Sequence, residues 1–288
     1  MIKTFSEYTR INKDKPIVFG PWAGELGWEL PRWIPACRFL SKDHSGKKYA
    51  IGPRGHGFMY EFVDEYIQFD KDFTYDPCMF RIKPETSDVD KFEHYENLAN
   101  KLGTAIHPVI VRANAEYRII AKKYTGTMHD KIKELTGKPI ICIFPRQRSH
   151  VPQRNWALNK WIQLVASLCN NDYAVMSFGG PEDKKLGYRH PQFFDFTEYN
   201  KDDQIDLCIS ALNLAKLGVA IQSGGFYLSL YSCEKSLMLG LKKYVKRVEA
   251  NNITRSNYKF IEHDNLNFDP THVLRHIVSY ANLCSNGI

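Results

Sequence analysis

Apolar positions in this chain fall into short unbroken runs, and between the runs they recur at helical spacing. Lys15–Phe19, Lys48–Ile51, Pro139–Phe144, Tyr173–Phe178, Phe193–Phe196, Leu217–Ile221 and Ser236–Leu239 read as strands. A run with no alternating polar face is what a strand covered on both sides requires. Helical periodicity is expected over Asp88–Leu102, Ala113–Leu135, Leu158–Cys169, Asp202–Ala215 and Pro270–Leu283. A further helix runs from Gly27 towards Leu40, interrupted by Pro31 and Pro35, because proline removes a helical N–H and crowds the preceding turn. The stretch from Phe58 to about Thr86 is aromatic and yields no clear element. Strands alternating with helices predict an α/β architecture with parallel sheets wrapped on both faces. The change of pattern places a boundary near residues 125–138.

Parallel sheets of this kind bind ligands at the carboxyl ends of their strands, so the loops there carry the candidate chemistry. After Leu217–Ile221 comes Gln222-Ser223-Gly224-Gly225, then a helix. That turn leaves unpaired N–H groups at a positive helix end, suited to a phosphate, although Ser-Gly-Gly is also an ordinary connection. After Pro139–Phe144, the loop Pro145–Trp156 carries Arg146, Arg148 and Arg154, whose forked guanidinium groups match phosphate oxygens. After Tyr173–Phe178, Gly179-Gly180-Pro181-Glu182-Asp183 offers carboxylates to ribose hydroxyls, or simply caps a helix. After the first strand, Gly20–Trp33 sets Glu25 between Gly24 and Gly27, among Trp22, Trp28 and Trp33. Aromatic walls that desolvate a carboxylate make it a better base. The alternative is that Glu25 and Glu29 only occupy the first helical turn. Asp88-Val89-Asp90 has the form of a metal-binding pair but sits where a helix start favours acids, and no metal site is expected.

Composition narrows the class. The 288 residues hold 39 Lys plus Arg against 32 Asp plus Glu, a formal charge of +7 that is compatible with an anionic substrate or polymer. Seven cysteines, none in a C-x-x-C pair, read as reduced core thiols of a cytoplasmic protein. No run reaches the ~20 apolar residues a membrane span needs, and the N-terminus shows no signal-peptide pattern.

The order of these loops resembles the GT-B glycosyltransferases, closest in pattern to bacterial ADP-heptose lipopolysaccharide heptosyltransferases. Gly24-Glu25 followed by Leu30-Pro31 is similar to that family's Gly-Asp loop and Leu-Pro helix, with Glu for Asp. Arg154-Asn155-Trp156, with Trp161 five positions on, is similar to its basic–His–Trp segment. Gly179–Asp183 resembles its ribose loop, and Ser223–Leu228 its Ser-Gly-x-x-His-Leu turn, with Tyr227 at the His.

The resemblance implies two Rossmann-like domains facing a cleft: residues 1–135 for the acceptor, with 270–288 packing back on them, and 136–269 for the nucleotide sugar. It implies an inverting, metal-independent transfer of a hexose or pentose, from a donor expected to be UDP-linked. Glu25 would take the acceptor's proton. Arg146, Arg148, Arg154, Gly179, Glu182, Asp183, Ser223, Gly224 and Gly225 would hold the donor, and Trp22, Gly24, Trp28, Arg54 and His56 the acceptor.

Bacteriophage enzymes that glycosylate hydroxymethylcytosine share the fold, and the basic balance makes duplex DNA the first acceptor expected, with stacking on Trp22, Trp28, Trp33 or Phe58. A cell-surface glycan is the alternative, and a nucleotide-binding protein without transferase activity the third. A Rossmann oxidoreductase is disfavoured, because no Gly-x-Gly-x-x-Gly follows the first strand.

Overall fold

The structure, a computed structural model, describes residues 1–70, 75–76, 81–82, 89–112, 123–149, 151–180, 183–199, 202–243, 245 and 257–282. The chain divides into two compact units, Met1–Lys122 and Lys123–Ile288. Residues 123–135, expected with the first domain, therefore group with the second.

The first unit opens with α1 (Phe5–Tyr8) and β1 (Ile17–Phe19). The predicted broken helix follows as three pieces: α2 (Leu26–Trp28), a π-helical turn (Glu29–Trp33) and α3 (Ile34–Ser41). Pro31 falls inside the wide turn, where the backbone departs from α-helical spacing, and Pro35 falls in the first turn of α3. Next come β2 (Lys48–Gly52), a 3-10 turn (Gly57–Met59), β3 (Glu65–Gln68), the short pair β4 (Tyr75–Asp76) and β5 (Arg81–Ile82), α4 (Val89–Leu102) and β6 (Thr104–Ile106). β1 is the hub of a parallel sheet ordered β3-β2-β1-β6. Ile17, Val18 and Phe19 are wholly buried there, as their unbroken apolar run required.

The second unit contains α5 (His129–Leu135), β7 (Ile140–Phe144), α6 (Leu158–Asn170), β8 (Ala174–Ser177), β9 (Phe193–Asp195), α7 (Gln204–Leu214), β10 (Leu217–Ile221), α8 (Gly224–Ser232), β11 (Ser236–Leu241), β12 (Tyr258–His263) and α9 (Pro270–Asn282). The long helix expected from Ala113 to Leu135 is helical only over α5 among the described residues of 123–135. Just before it, Gly126 and Met128 donate their backbone N–H groups to Asn213 and Ser210 of α7, so this stretch satisfies its backbone outside a helix.

Six parallel strands run in the order β12-β11-β10-β7-β8-β9. Strands β7, β8, β10 and β11 are buried along their whole length. On one side α6 and α9 pack together, and Trp156, Trp161, Leu164, Phe268, Val273 and Ile277 join the sheet in one core. The last helix, expected to return to the first half, thus buries its apolar face within the second unit. Its end is tied there by buried Lys235, whose Nζ donates to the carbonyl of Tyr280.

Candidate active site

In the second sheet the strand order reverses between β7 and β10, the two strands that bear the arginine loop and the Ser-Gly-Gly turn. Such a reversal leaves a crevice beyond the strand ends, where the flanking helices part. Gly225 lets α8 start hard against β7: a Cβ there would lie 2.5 Å from the Phe144 ring. Ser223, the residue before α8, does not cap the helix with its side chain; its Oγ donates to the Ile221 carbonyl instead. The first N–H groups of α8 therefore donate no hydrogen bond to that side chain.

The three arginines of the β7 loop brace the loops as well as charging them. Arg146 is 4% exposed and donates to the Val151 carbonyl and to Asn155 Oδ1. Val151, a β-branched residue, is held at φ 55°, a strained conformation that persists only where neighbours over-determine it. Arg148 pairs through Nε with Asp183 Oδ2 at 3.5 Å. Arg154 donates to the Gln222 carbonyl and so ties the β7 loop to the β10 loop across the reversal.

Asp183 departs from its expected role. It is buried and accepts from the backbone N–H groups of Gly180 and Gln147 at 2.8 Å each, besides pairing with Arg148. Its oxygens therefore serve the protein's own donors, and it holds the Gly179–Gly180 turn in place. Glu182 lies outside the described residues.

The first unit rearranges the expected roles further. Trp22 is wholly buried and stacks on buried Trp33, with ring centroids 5.6 Å apart and planes 12° from parallel. Gly24 covers that stack, since a Cβ there would lie 2.6 Å from the Trp22 ring. Trp22 cannot serve as an acceptor platform, because apolar area of that size is stabilised more by the core than by an open loop. Trp28 is partly exposed, and the Arg32 guanidinium lies 4.4 Å over its ring. Arg54 is exposed and donates from Nε to the Phe69 carbonyl. Glu25 is partly exposed at the start of α2, where its side chain makes no capping hydrogen bond.

The buried carboxylate of this loop is Glu29. Its side chain has no exposed surface, and it accepts from Tyr60 Oη at 2.7 Å and lies 2.9 Å from His56 Nδ1. Burial and the Glu29 charge push the Tyr60 and Tyr66 phenols and the Cys37 thiol well above their usual ranges, so all three stay protonated. The sequence reading placed Glu29 in a first helical turn. The available signal was its register: Glu29, Trp33 and Cys37 are four residues apart, on one helical face that is otherwise apolar.

Two units, each built on a parallel sheet with helices, match the GT-B fold of the solved structures described next. No protein-family model and no curated protein sequence matches the chain. Among solved structures, it is similar to Escherichia coli ADP-heptose lipopolysaccharide heptosyltransferase II, with TM-score 0.60 and 12% identity over 93% of this chain and 98% of that one. A glycosyl transferase family 9 protein from Veillonella parvula matches at TM-score 0.58 and 11% identity, covering 98% of each chain. E. coli heptosyltransferase WaaC with ADP matches at TM-score 0.54 and 10% identity, over 93% of this chain and 98% of that one.

Proposed function

We propose that this chain is an inverting glycosyltransferase that moves a sugar from a nucleoside-diphosphate donor to an acceptor hydroxyl. The observation that carries the reading is the arginine-braced reversal between β7 and β10. Arg148, Arg154 and the start of α8 lie on the two loops of this reversal, and in sheets of this topology a diphosphate binds beyond such a reversal, which supports the reading. As the bond from C1 to the diphosphate breaks, negative charge grows on the leaving oxygen. Fixed guanidinium groups and helix N–H groups stabilise that charge without reorganising. They take the part a divalent cation plays elsewhere, so activity is expected to persist in excess EDTA.

A surface-glycan acceptor of the lipopolysaccharide-core kind fits better than DNA. The neighbours named for heptosyl transfer support it, and the burial of Trp22 and Trp33 removes two of the stacking platforms a flipped base would use.

The test is a transfer assay with a panel of ADP- and UDP-sugars, read by mass spectrometry. Its acceptors are deacylated core oligosaccharide and duplex DNA containing hydroxymethylcytosine. A sugar mass on the oligosaccharide is the expected result, and a mass on the DNA base would move the acceptor to nucleic acid. Tight donor binding with no transfer or hydrolysis would leave a nucleotide-binding protein. Arg154→Ala should weaken donor binding by about tenfold or more, the scale of one charge-assisted contact.

A further inference from the structure

Resting on that transferase reading, we propose that His56, fixed by Glu29 and Tyr60, accepts the proton of the acceptor hydroxyl. Glu25, the carboxylate singled out by sequence pattern, then lines the site without being the base.

Four observations carry this. Glu29 is fully enclosed, and an enclosed carboxylate is costly unless its oxygens are paired. Tyr60 donates to one oxygen and His56 Nδ1 meets the other, so both are engaged. A carboxylate only accepts hydrogen bonds, so Nδ1 carries the hydrogen of this contact, and in a neutral imidazole held this way the lone pair is on Nε2. The His56 side chain keeps 13% of its surface open, and Nε2 has no partner among the described residues.

The placement also suits the role. His56 follows β2 in the loop Pro53–Gly57, at the carboxyl edge of the sheet, as Glu25 does after β1. Two glycines shape that loop. Gly55 adopts φ 71°, and a Cβ on Gly57 would lie 2.9 Å from the Tyr66 ring. Glu25, by contrast, lacks a described group that fixes its carboxylate. An imidazole is also, as a class, a stronger base near neutral pH than a carboxylate.

In the step itself, the acceptor oxygen forms a bond to C1 while its proton passes to Nε2. The C1–oxygen bond to the diphosphate breaks, and the electron pair leaves with the nucleotide. The imidazolium so formed lies against the Glu29 carboxylate, which stabilises it, and it then returns the proton to water. Glu29 and Tyr60 are positioning residues in this scheme.

The first test is the tautomer, read from imidazole 15N shifts of the wild-type chain. Protonation at Nδ1 is expected, and protonation at Nε2 with a bare Nδ1 would overturn the proposal. The second test uses the donor and acceptor pair that wild type turns over. His56→Asn keeps an N–H for Glu29, so it preserves the fold, but it cannot accept a proton. It should lower kcat by about 100-fold or more with KM and donor affinity within about threefold. His56→Ala should regain part of its rate with added imidazole. Glu29→Gln should lower kcat less, again at constant KM. Glu25→Gln should lower kcat less than His56→Asn does. His56→Asn at near wild-type kcat, or loss of turnover confined to Glu25→Gln, would return the proton to Glu25 and overturn the proposal. A wild-type chain that transfers to no acceptor and hydrolyses no donor would remove the reaction, and the proposal with it.

Discussion

The two units use the same sheet architecture and treat their charged groups in opposite ways. In the second, the groups beyond the strand ends are tied to one another: Arg148 to Asp183, Arg146 to Asn155, Arg154 to the Gln222 carbonyl. In the first, the loop beyond β1 buries its aromatic rings and one carboxylate, and that carboxylate holds an imidazole whose far nitrogen stays open. The first pattern gives a stiff cationic frame that does not change protonation. The second gives an imidazole whose orientation is fixed by a buried carboxylate. The transfer proposed above would use both, a static cradle for the leaving diphosphate and a fixed group beside the acceptor hydroxyl.

Substitutions can break this contrast at its strongest point first. Trp22→Ala removes a fully buried ring from the Trp33 stack and should cost about 3–5 kcal/mol in denaturant unfolding. Trp28→Ala, at a partly exposed position, should leave stability nearly unchanged and raise the acceptor KM. Equal stability losses in the two variants would mean that the loop has no distinct exposed face.

On the other side of the comparison, Gly225→Val forces a side chain into the Phe144 ring. It should cost about 1–3 kcal/mol and weaken donor binding together with stability, as calorimetric titration and thermal melts would show. Loss of stability with full donor affinity would separate the α8 start from the donor site.

A smaller effect sharpens the picture of the first unit. Burial, then the Lys3 charge, lowers the pKa of His107 to about 4, and its Nδ1 accepts from the Val109 N–H. The folded chain therefore stays neutral there while the unfolded chain binds a proton below the ordinary histidine range. Stability conferred by this residue is full at neutral pH and is lost as pH falls from about 6.5 towards 4. His107→Gln should flatten that acid limb in melts recorded between those pH values, and an unchanged limb would show that His107 titrates normally.

The elements legible in the sequence were those encoded by a few neighbouring residues. The fully buried strands β1, β7, β8, β10 and β11 announced themselves as apolar runs, and α6 and α7 by their period. Pro31 and Pro35 marked the broken helix for the same local reason. Strands β3, β6 and β12 did not, because they are short or at sheet edges. Glu65–Gln68 has both ends exposed, and Tyr258–His263 buries only Ile261. An edge strand needs only one covered side, so its residues carry little of the pattern that marks a central strand.

The chain by itself thus determined that two parallel sheets form and which loops lie at their carboxyl ends. It also determined that those loops carry arginines, glycines and carboxylates. Only the tertiary structure decided which of these groups face ligand and which face protein. It placed Trp22 inside against Trp33, turned Asp183 to its own loop's N–H groups, and joined Glu29 to His56 across 27 residues of chain. Turn chemistry and periodicity act over a few bonds and can be read locally. Desolvation and pairing depend on which distant segments share one small volume, and a side chain's role follows from that neighbourhood.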